Sequence, residues 1–379
     1  MLFENVNYFT KGGRLRFGSV STENGRIRDV RMQDESYHAG ARFLLPGCID
    51  MHTHAMLGSE YFGRNAEAAA KARRALAKSG TTSFLFATMA LSEAELIAQC
   101  ARAGKAAELC KPSDDTEGES RCLGVYLEGP FLSYEKKGAH DAKYLHLPDK
   151  AMLNRLDQAA NGGIKAVCMA PELEGAIELA NDIKNNKIVS LAHSAADYDA
   201  SLYAFKNGFS NLTHTFNAMQ PMLHRAPGPV AAAYESEGIT AEFIGDGVHI
   251  KPAMLRILFR LFTYERLILI SDSISVCGMA DGVYTGVDGQ SIRLENGMAT
   301  IDGTGTIAGS AMPMFAALKR LISFGIPAEE AIATATINPA KRLGIENKLG
   351  AIEEGFMADM LLCSAKLDIE KVFISGKEI

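Results

Sequence analysis

The chain has 379 residues, of which 47% are hydrophobic and 22% charged, and its formal net charge is −6. These proportions are ordinary for a soluble globular protein with a large core, and the acidic balance gives no indication of a nucleic acid or a membrane as partner. An anionic substrate would need a local cationic site, which the overall charge neither supports nor excludes.

The N-terminal segment is predicted to be β-rich. Residues 1–42 contain the short alternating segments NVNYF, RLRFGSVS and RIRDVRM, separated by Gly and Asn-Gly turns. The first residues lack the basic start and the apolar core of a signal peptide, and the apolar runs of the chain are too short to span a bilayer. We therefore expect neither a secretory leader nor a transmembrane helix.

From about residue 43 to residue 325, short apolar runs alternate with longer segments rich in Ala, Leu, Lys and Glu. Continuous apolar runs are typical of strands that are buried on both faces of a parallel sheet. Eight runs can be counted: FLLPGCIDMHTH, TTSFLFAT, RCLGVYLEG, IKAVCMAPE, KIVSLAHS, GFSNLTHTFN, ITAEFIGDGVH and RLILISDS. The segments between them include clear helices, such as NAEAAAKARRALAKSG, which Gly80 closes, and ADYDASLYAFKNG, which Gly208 closes.

Eight strands alternating with helices predict an α/β fold with a (β/α)8 barrel of the TIM type. A doubly wound open sheet is the alternative, but it would predict a Gly-rich phosphate loop after the first strand, and the sequence has none there. The polar stretch KPSDDTEGES, residues 111–120, is predicted to be a surface loop.

The C-terminal segment again reads as short strands with turns: GAIEEGFMADMLLCSAKLDIEKVFISGKEI, residues 350–379. We expect the two ends to pair into one small β-sandwich domain, residues 1–45 plus 350–379, which leaves residues 46–349 for the barrel. The seven cysteines form no CxxC pair, and an odd number cannot all pair within the chain. They are predicted to be reduced, mostly buried thiols of a cytoplasmic protein.

Polar side chains close five of the eight predicted strands. Strand side chains alternate between faces, so two histidines that are two residues apart can point the same way into the mouth of a barrel. Imidazole nitrogens and carboxylate oxygens are ligands for zinc or a similar divalent ion. The candidates are His52 and His54 after the first strand, then Glu128, His193, His214 and Asp272 after the third, fifth, sixth and eighth.

Any one of these residues alone would more often be a hydrogen-bonded residue of the barrel rim than a ligand. Six of them on five strand ends make coincidence a poor explanation, and the pattern predicts a metal centre. Four would suffice for one ion, and the full set is enough for two, with Glu128 as the natural bridging ligand. A divalent metal activates a bound water and polarises a carbonyl group, and Asp272 is the best candidate to move the proton. A Gly-x-Ser-x-Gly nucleophile motif is absent, which favours direct attack by water.

At these residues the sequence resembles the amidohydrolase superfamily and, within it, the N-acetylglucosamine-6-phosphate deacetylases. The resemblance extends over essentially the whole chain. LEGPF, THTFNAM and HRAPG are its most specific motifs, whereas His-x-His marks only the wider superfamily. The linked segments are PGCIDMHTH, LEGPFLSYEKKGAH, LAHSAAD, LTHTFNAMQPMLHRAPG, IGDGVHI, LISDSISVCGM and IAGSAMPM, with LGAIEEGFMADMLL in the tail.

The resemblance implies that Glu128, His193 and His214 are the main metal ligands and that Asp272 is the proton donor and acceptor. It further implies a homodimer in which Arg225 reaches the active site of the neighbouring subunit, where a guanidinium can hold a phosphate in a bidentate fork. The substrate contacts that it implies are Ala139, His140, Asn217, Ala218, Arg225, Asp246, His249, Ile307 and Ala308.

Two positions bear on how far the resemblance extends. Many family members have a His just before the Leu/Ile-Glu-Gly-Pro segment, where this chain has Tyr126, and we expect that side chain to face away from the metal or to pack. Some members lack one His of the His-x-His pair and hold a single metal, whereas His52 and His54 are both present here. One or two ions are therefore possible; zinc is expected, with iron or manganese as alternatives.

The leading hypothesis is hydrolysis of N-acetylglucosamine 6-phosphate to glucosamine 6-phosphate and acetate, in amino-sugar recycling or catabolism. One alternative is the same chemistry on N-acetylgalactosamine 6-phosphate or on another N-acyl compound. Another is an inactive barrel that serves as a scaffold, against which the intact ligands and Asp272 count.

Overall fold

The computed structural model describes residues 1–109, 118–286 and 289–379. The stretch predicted to be a surface loop at 111–120 lies mostly outside the described residues, as does Cys110. The chain begins with four strands, β1 (Leu2–Phe9), β2 (Leu15–Glu23), β3 (Arg26–Asp34) and β4 (Arg42–Pro46).

From residue 48 to residue 270, strands and helices alternate. In chain order they are β5 (Cys48–Thr53), β6 (Ala55–Met56), β7 (Ser59–Glu60), α1 (Ala66–Lys78), β8 (Thr81–Ala87), α2 (Glu93–Leu109), β9 (Arg121–Leu127), α3 (Lys150–Ala159), β10 (Ile164–Met169), α4 (Ala176–Ile183), β11 (Ile188–Leu191), α5 (Tyr198–Lys206), β12 (Asn211–Leu212), α6 (Gly228–Glu235), β13 (Thr240–Ile244), α7 (Pro252–Leu261) and β14 (Leu267–Ile270).

The remainder of the chain adds a second small sheet, three helices and the C-terminal strands. They are β15 (Gly282–Thr285), β16 (Ser291–Glu295), β17 (Met298–Ile301), β18 (Ile307–Ser310), α8 (Met314–Ser323), α9 (Ala328–Ala335), α10 (Ile337–Arg342), β19 (Met360–Cys363), β20 (Ile369–Ile374) and β21 (Lys377–Glu378). Single 3₁₀ turns lie at Ala142–Tyr144 and Tyr264–Arg266.

Each of the eight predicted runs contains one strand of a parallel sheet, whose order is β14-β13-β12-β11-β10-β9-β8-β5. The two outermost strands meet at their carboxyl ends, where the Asp272 N–H donates to the His52 carbonyl oxygen (2.9 Å) and the His54 N–H donates to that of Ser273 (2.9 Å). The sheet is thus a nearly closed barrel, and the predicted fold class is confirmed.

The helices around the barrel begin and end where the sequence indicates. Asn65 caps α1 by accepting a hydrogen bond from the Ala68 N–H, and Asp197 caps α5 in the same way. Gly80 and Gly208, which follow these helices, have φ angles of 98° and 109°, a conformation that favours glycine.

Alternation along the barrel strands separates two layers of core. On β8, Phe84 and Phe86 pack outward against the helices, whereas Leu85 and Ala87 point into the barrel interior. Among the described residues, none of the helices has the length and apolar character that crossing a bilayer would take.

Both chain ends contribute to one seven-stranded sheet with the order β21-β20-β19-β4-β1-β2-β3. β4 is its junction, because it pairs in parallel with β1 and antiparallel with β19. A small β domain built from both ends is therefore present, while the exact boundaries at residues 45, 46, 349 and 350 remain a prediction.

A buried ion pair ties this sheet to the bottom of the barrel. Arg121 at the start of β9 lies 3.5 Å from the carboxylate of Asp359, and both side chains are almost fully buried. The same carboxylate accepts a hydrogen bond from the Ser375 N–H (2.6 Å). Asp359 thus joins a barrel strand to the C-terminal strands.

We predict that Asp359→Asn lowers the free energy of unfolding by about 3–5 kcal/mol, because the buried Arg121 guanidinium would lose its ion pair with Asp359. Urea unfolding followed by circular dichroism measures this. Glu378→Gln is the matched control, since its ion pair with Lys371 is exposed at the surface and should contribute less than about 1 kcal/mol. Equal shifts for the two variants would show that the buried pair has no special role.

Candidate active site

The six residues predicted from the strand ends lie together at the carboxyl end of the barrel. His52 is within β5, and the others follow their strands by one or two residues. Three of them, His193, His214 and Asp272, have positive φ angles of 43°, 29° and 49°. Non-glycine residues rarely adopt this conformation, and such strain is concentrated at functional sites.

Glu128 is the centre of the cluster. One of its carboxylate oxygens lies 3.2 Å from His214 Nε2, 3.3 Å from His193 Nε2 and 3.4 Å from His52 Nε2. The other oxygen lies 3.4 Å from His54 Nε2, which in turn is 3.2 Å from Asp272 Oδ1. The structure therefore brings all six candidates into one buried group, with Glu128 between the two halves.

The hydrogen bond of His193 to the backbone fixes which ring nitrogen carries the proton. Its Nδ1 lies 2.8 Å from the carbonyl oxygen of Lys136, which can only accept, so Nδ1 donates and Nε2 of the neutral ring holds a lone pair. That lone pair is directed at the Glu128 carboxylate and at His214 Nε2, which is 3.1 Å away. A carboxylate and two imidazole nitrogens that all present lone pairs would repel at such distances, so a proton or a metal cation must lie between them.

The donor set therefore fits a divalent metal ion. A metal-bound histidine typically donates its other ring N–H to a backbone carbonyl, as His193 does. Both ring nitrogens of His52 are buried without a hydrogen-bond partner among the described residues. Two groups of three have ligand atoms close enough for one ion: His52, His54 and Asp272, and Glu128, His140 and His193.

His140 differs from the other histidines in its protonation. The Ala90 N–H donates to its Nδ1 (3.2 Å), so the ring is neutral and Nε2 carries the proton. Burial lowers the pKa of His140, which agrees with the neutral form. Its Nε2 lies 3.5 Å from Glu128 and lines the cleft. His140 is thus placed to donate a hydrogen bond rather than to bind a metal.

Both carboxylates of the cluster are held ionised. Burial raises the pKa of Glu128, but His52 and the hydrogen bond from His140 lower it, and the net pKa lies well below the usual value. Burial likewise raises the pKa of Asp272, yet the contacts with His54 and His52 lower it overall. Negative charge at neutral pH is what metal binding or proton acceptance requires.

The cluster forms the floor of a cleft of about 350 Å³. Twelve of the residues predicted for the site line it: His54, Glu128, Ala139, His140, His193, His214, Asn217, Ala218, His249, Asp272, Ile307 and Ala308. His52 lies beneath this floor and is fully buried. Asp246 and Arg225 are not among the residues that line the cleft.

Asp246 contacts the cleft only through His249. Its carboxylate accepts hydrogen bonds from His249 Nδ1 (2.7 Å) and from the Val248 N–H (2.8 Å). Burial lowers the pKa of His249, but the bond to Asp246 outweighs it, so the net pKa is raised. Asp246 therefore orients the ring of His249, which is the residue that reaches the cleft.

Arg225 lies at the tip of an exposed turn, residues 221–226. The turn is closed by backbone hydrogen bonds between Leu223 and Ala226 (3.0 and 3.2 Å). Met222 and Leu223 beside it are also exposed although they are apolar. The structure thus holds Arg225 away from the cleft of its own chain.

Several residues that the sequence did not single out lie at the site, and three of them are considered next. Lys136 and Met89 line the cleft, and Glu242 lies beneath it in the barrel interior. Glu242 could have been found from the sequence, because it is a charged residue within the apolar run ITAEFIGDGVH. Lys136 lies in the segment LEGPFLSYEKKGAH, but no feature of the sequence distinguishes it from the adjacent Lys137.

Tyr126 points into the barrel directly below the metal-ligand candidates. Its ring centroid lies 4.5 Å from that of His52, and its hydroxyl donates to a Glu242 oxygen at 2.9 Å. The same Glu242 carboxylate accepts from Asn211 (2.8 Å) and lies 3.8 Å from His52 Nδ1. Of the two expectations for Tyr126, packing is therefore correct, and the residue that it packs against is His52.

The chain is similar to known proteins of one enzyme family. The model of the amidohydrolase family matches residues 43–379. N-acetylglucosamine-6-phosphate deacetylase of Bacillus subtilis is 32% identical over 97% of this chain and 94% of its own. N-acetylgalactosamine-6-phosphate deacetylase of Escherichia coli O157:H7 is 30% identical over 89% and 88%. A mutant N-acetyl-D-glucosamine-6-phosphate deacetylase of Mycobacterium smegmatis, solved in complex with N-acetyl-D-glucosamine-6-phosphate, superposes with a TM-score of 0.90 at 28% identity, covering 100% of this chain and 98% of that one.

Proposed function

The chain belongs to the amidohydrolase family, and we propose that it hydrolyses the acetamide of N-acetylglucosamine 6-phosphate to glucosamine 6-phosphate and acetate. The observation that carries the proposal is the convergence of His193 Nε2, His214 Nε2 and the Glu128 carboxylate on one point at the floor of the cleft. The curated relatives support the amino-sugar phosphate as substrate, and the alternative is the galacto epimer.

Glu128, His193 and His214 would hold the main metal ion, with His52, His54 and Asp272 beside a second position. Zinc is the metal we propose, because tetrahedral nitrogen and oxygen ligands suit it, with iron or manganese as alternatives. When bound, the metal supplies an activated water and polarises the amide carbonyl.

The residues of the chain then divide the remaining work. Asp272, ionised and at the cleft surface, accepts the proton of the attacking water and passes it to the leaving nitrogen. The Nε2–H of His140 donates to the amide carbonyl oxygen, where negative charge develops. His249, oriented by Asp246, donates to the substrate from the opposite wall. Asn217, Ala218, Ala139, Ile307 and Ala308 shape the space for the sugar.

Two cations are available for the phosphate. Lys136 lines the cleft of the same chain. For Arg225 we propose that it enters the cleft of a second subunit in a homodimer. Its exposed turn with apolar flanks supports this, as does the exposure of Tyr203, Tyr234, Met254 and Ile257 on the consecutive helices α5, α6 and α7.

A cytoplasmic location and a role in amino-sugar catabolism complete the proposal. The six cysteines among the described residues are free and buried, as expected of a protein from a reducing compartment. Glucosamine 6-phosphate is itself a product that sugar-phosphate metabolism can consume.

We predict acetate release from N-acetylglucosamine 6-phosphate that is lost on dialysis against a chelator and restored by Zn²⁺. Unphosphorylated N-acetylglucosamine should be a poor substrate, and N-acetylgalactosamine 6-phosphate tests the epimer preference. Zn²⁺ should also raise the thermal midpoint of the metal-free protein, since a ligand at 100 times its Kd stabilises by about 2.7 kcal/mol. Full activity after verified metal removal would contradict the proposed mechanism.

We predict that Asp272→Asn lowers kcat by about 10²–10⁴, the range attributed to general acid–base catalysis. The amide has nearly the same shape but cannot accept the proton. Metal content, measured by mass spectrometry, should stay close to that of the unchanged protein, because Glu128, His193 and His214 remain. His54→Gln is the companion variant, expected to lose the second ion if one is bound. Retained turnover in Asp272→Asn would show that another group moves the proton.

We predict that Arg225→Ala lowers kcat/KM for the phosphorylated substrate by about 10- to 100-fold, since a hydrogen-bonded charge pair contributes about 1.5–3 kcal/mol. The Arg225→Ala variant is then mixed with Asp272→Asn so that the subunits exchange. This experiment tests whether Arg225 acts at the active site of its own chain or at that of the neighbouring subunit. If Arg225 crosses the interface, each heterodimer contains one complete site. Because about half of the dimers are heterodimers, about a quarter of the activity of the unsubstituted enzyme should return. No recovery in confirmed heterodimers would place Arg225 outside the neighbouring site.

A further inference from the structure

A second, smaller cavity adjoins the cleft beside His54. It measures about 20 Å³, and its wall is almost entirely apolar. The apolar residues that line it are Ala55, Met89, Ala139, Ile274, Ile292, Ile301 and Ala308, and the polar ones are His54, Ser275 and Gln290. Five residues, His54, Met89, Ala139, Ile274 and Ala308, line both spaces, so the small cavity opens next to the metal-ligand cluster.

The cavity is built by the small antiparallel sheet β15–β18, which is inserted after the last barrel strand. Along β16 and β17 the buried side chains alternate with exposed ones, and Ile292, Leu294 and Ala299 face inward. They pack with Ile274, Val276 and Ala308 into a hydrophobic cluster separate from the barrel core. The Ser310 N–H donates to the Asp272 carbonyl oxygen (2.8 Å), which anchors this sheet to the catalytic strand end.

Gly309 shows how closely the inserted sheet approaches the cluster. Its φ is 96°, and a Cβ at this position would lie 3.0 Å from the Asp272 carbonyl oxygen and 2.8 Å from the Ile274 side chain. The apolar wall is therefore held at a fixed distance from Asp272.

The residues that line the cleft alone include charged and hydrogen-bonding ones, whereas most residues shared with the small cavity are apolar. Lys136, Asn217 and His249 offer charge and hydrogen bonds, which suit a sugar phosphate. Met89, Ile274 and Ala308 offer none, and they lead into the small cavity. If the carbonyl of an amide substrate lies at the cluster, the sugar on its nitrogen extends to one side and the alkyl group of its acyl chain extends to the other. The polar residues suit the sugar phosphate. The apolar residues suit the alkyl group.

We propose that this cavity is the acyl pocket, which holds the methyl of the acetyl group and excludes longer N-acyl chains. The inference rests on the proposed amide hydrolysis and adds the determinant of its acyl specificity. The size supports it, because about 10–15 Å³ accommodates one water-sized group and a methyl is of similar size. A cavity of about 20 Å³ is thus close in size to one methyl group.

Ile301 is the residue to change. It lines the small cavity but not the cleft, so shortening it deepens the pocket without altering the residues that surround the cluster. Val283 is the matched control, since it is a β-branched residue of the same sheet, is 49% exposed and lines neither space.

The experiment compares kcat/KM for the N-acetyl, N-propionyl and N-butyryl amides of glucosamine 6-phosphate. One methylene in an apolar pocket changes kcat/KM by about 10- to 200-fold, so the unchanged enzyme should prefer acetyl to propionyl by at least about 10-fold. Ile301→Ala should raise the propionyl-to-acetyl ratio about 10-fold or more, and Val283→Ala should leave the ratio unchanged. Ile292→Val is a milder second variant, expected to change the ratio in the same direction and by less.

The outcomes separate this inference from the function on which it rests. If the unchanged enzyme releases acetate but turns over the propionyl amide equally well, the acyl pocket is wrong and the deacetylase proposal stands. The same holds if folded Ile301→Ala and Ile292→Val both keep the original ratio. If no acid is released from any of the three amides by the metal-loaded enzyme, both proposals fail.

Discussion

Closure of the barrel between its first and last strands determines the distance between the two halves of the metal-ligand cluster. The Asp272 N–H donates to the His52 carbonyl oxygen, and the His54 N–H donates to that of Ser273. These residues are more than 200 positions apart, and their side chains meet only because a parallel sheet has curled until its edges join. The carboxyl ends of the strands between them then surround Glu128, which contacts histidines from both sides.

The same arrangement carries a cost in stability. Three non-glycine residues at the strand ends adopt left-handed φ angles, each at about 1–3 kcal/mol, and several imidazole nitrogens are buried without hydrogen bonds to the described residues. Part of the interior below the cluster is satisfied by hydrogen bonds. Glu242 accepts hydrogen bonds from Tyr126 and Asn211, and apolar side chains fill the remaining space. A metal ion bound among the nitrogens would offset part of the cost.

The sequence predicts the parts of this structure that depend on neighbouring residues and leaves open those that depend on distant ones. The eight apolar runs and the ligands at their ends follow local rules of strand burial, so the barrel and its six-residue cluster could be predicted. The family resemblance implies that Asp246 is a substrate contact, as it does for His249. In the structure, Asp246 contacts His249 and does not line the cleft, because the two side chains form a hydrogen bond. The sequence spacing of the two residues does not reveal this bond. The contact of Tyr126 with Glu242 joins β9 to β13, and no local pattern connects those positions.

The insertion of β15–β18 illustrates how a shared barrel acquires a particular substrate. In the proposed mechanism, the metal ligands and Asp272 act only on the reacting amide group, which many amides share. Selectivity must therefore come from the walls, and the walls belong to different segments. Lys136 and Asn217 come from loops after β9 and β12, whereas the apolar wall comes from the inserted sheet. Because Ser310 bonds directly to Asp272, the wall moves with the catalytic residue, and the space beside the reacting carbonyl stays small. A loop anchored elsewhere could widen and admit longer chains, so in the proposed acyl pocket the anchoring bond would contribute to selectivity together with the isoleucines.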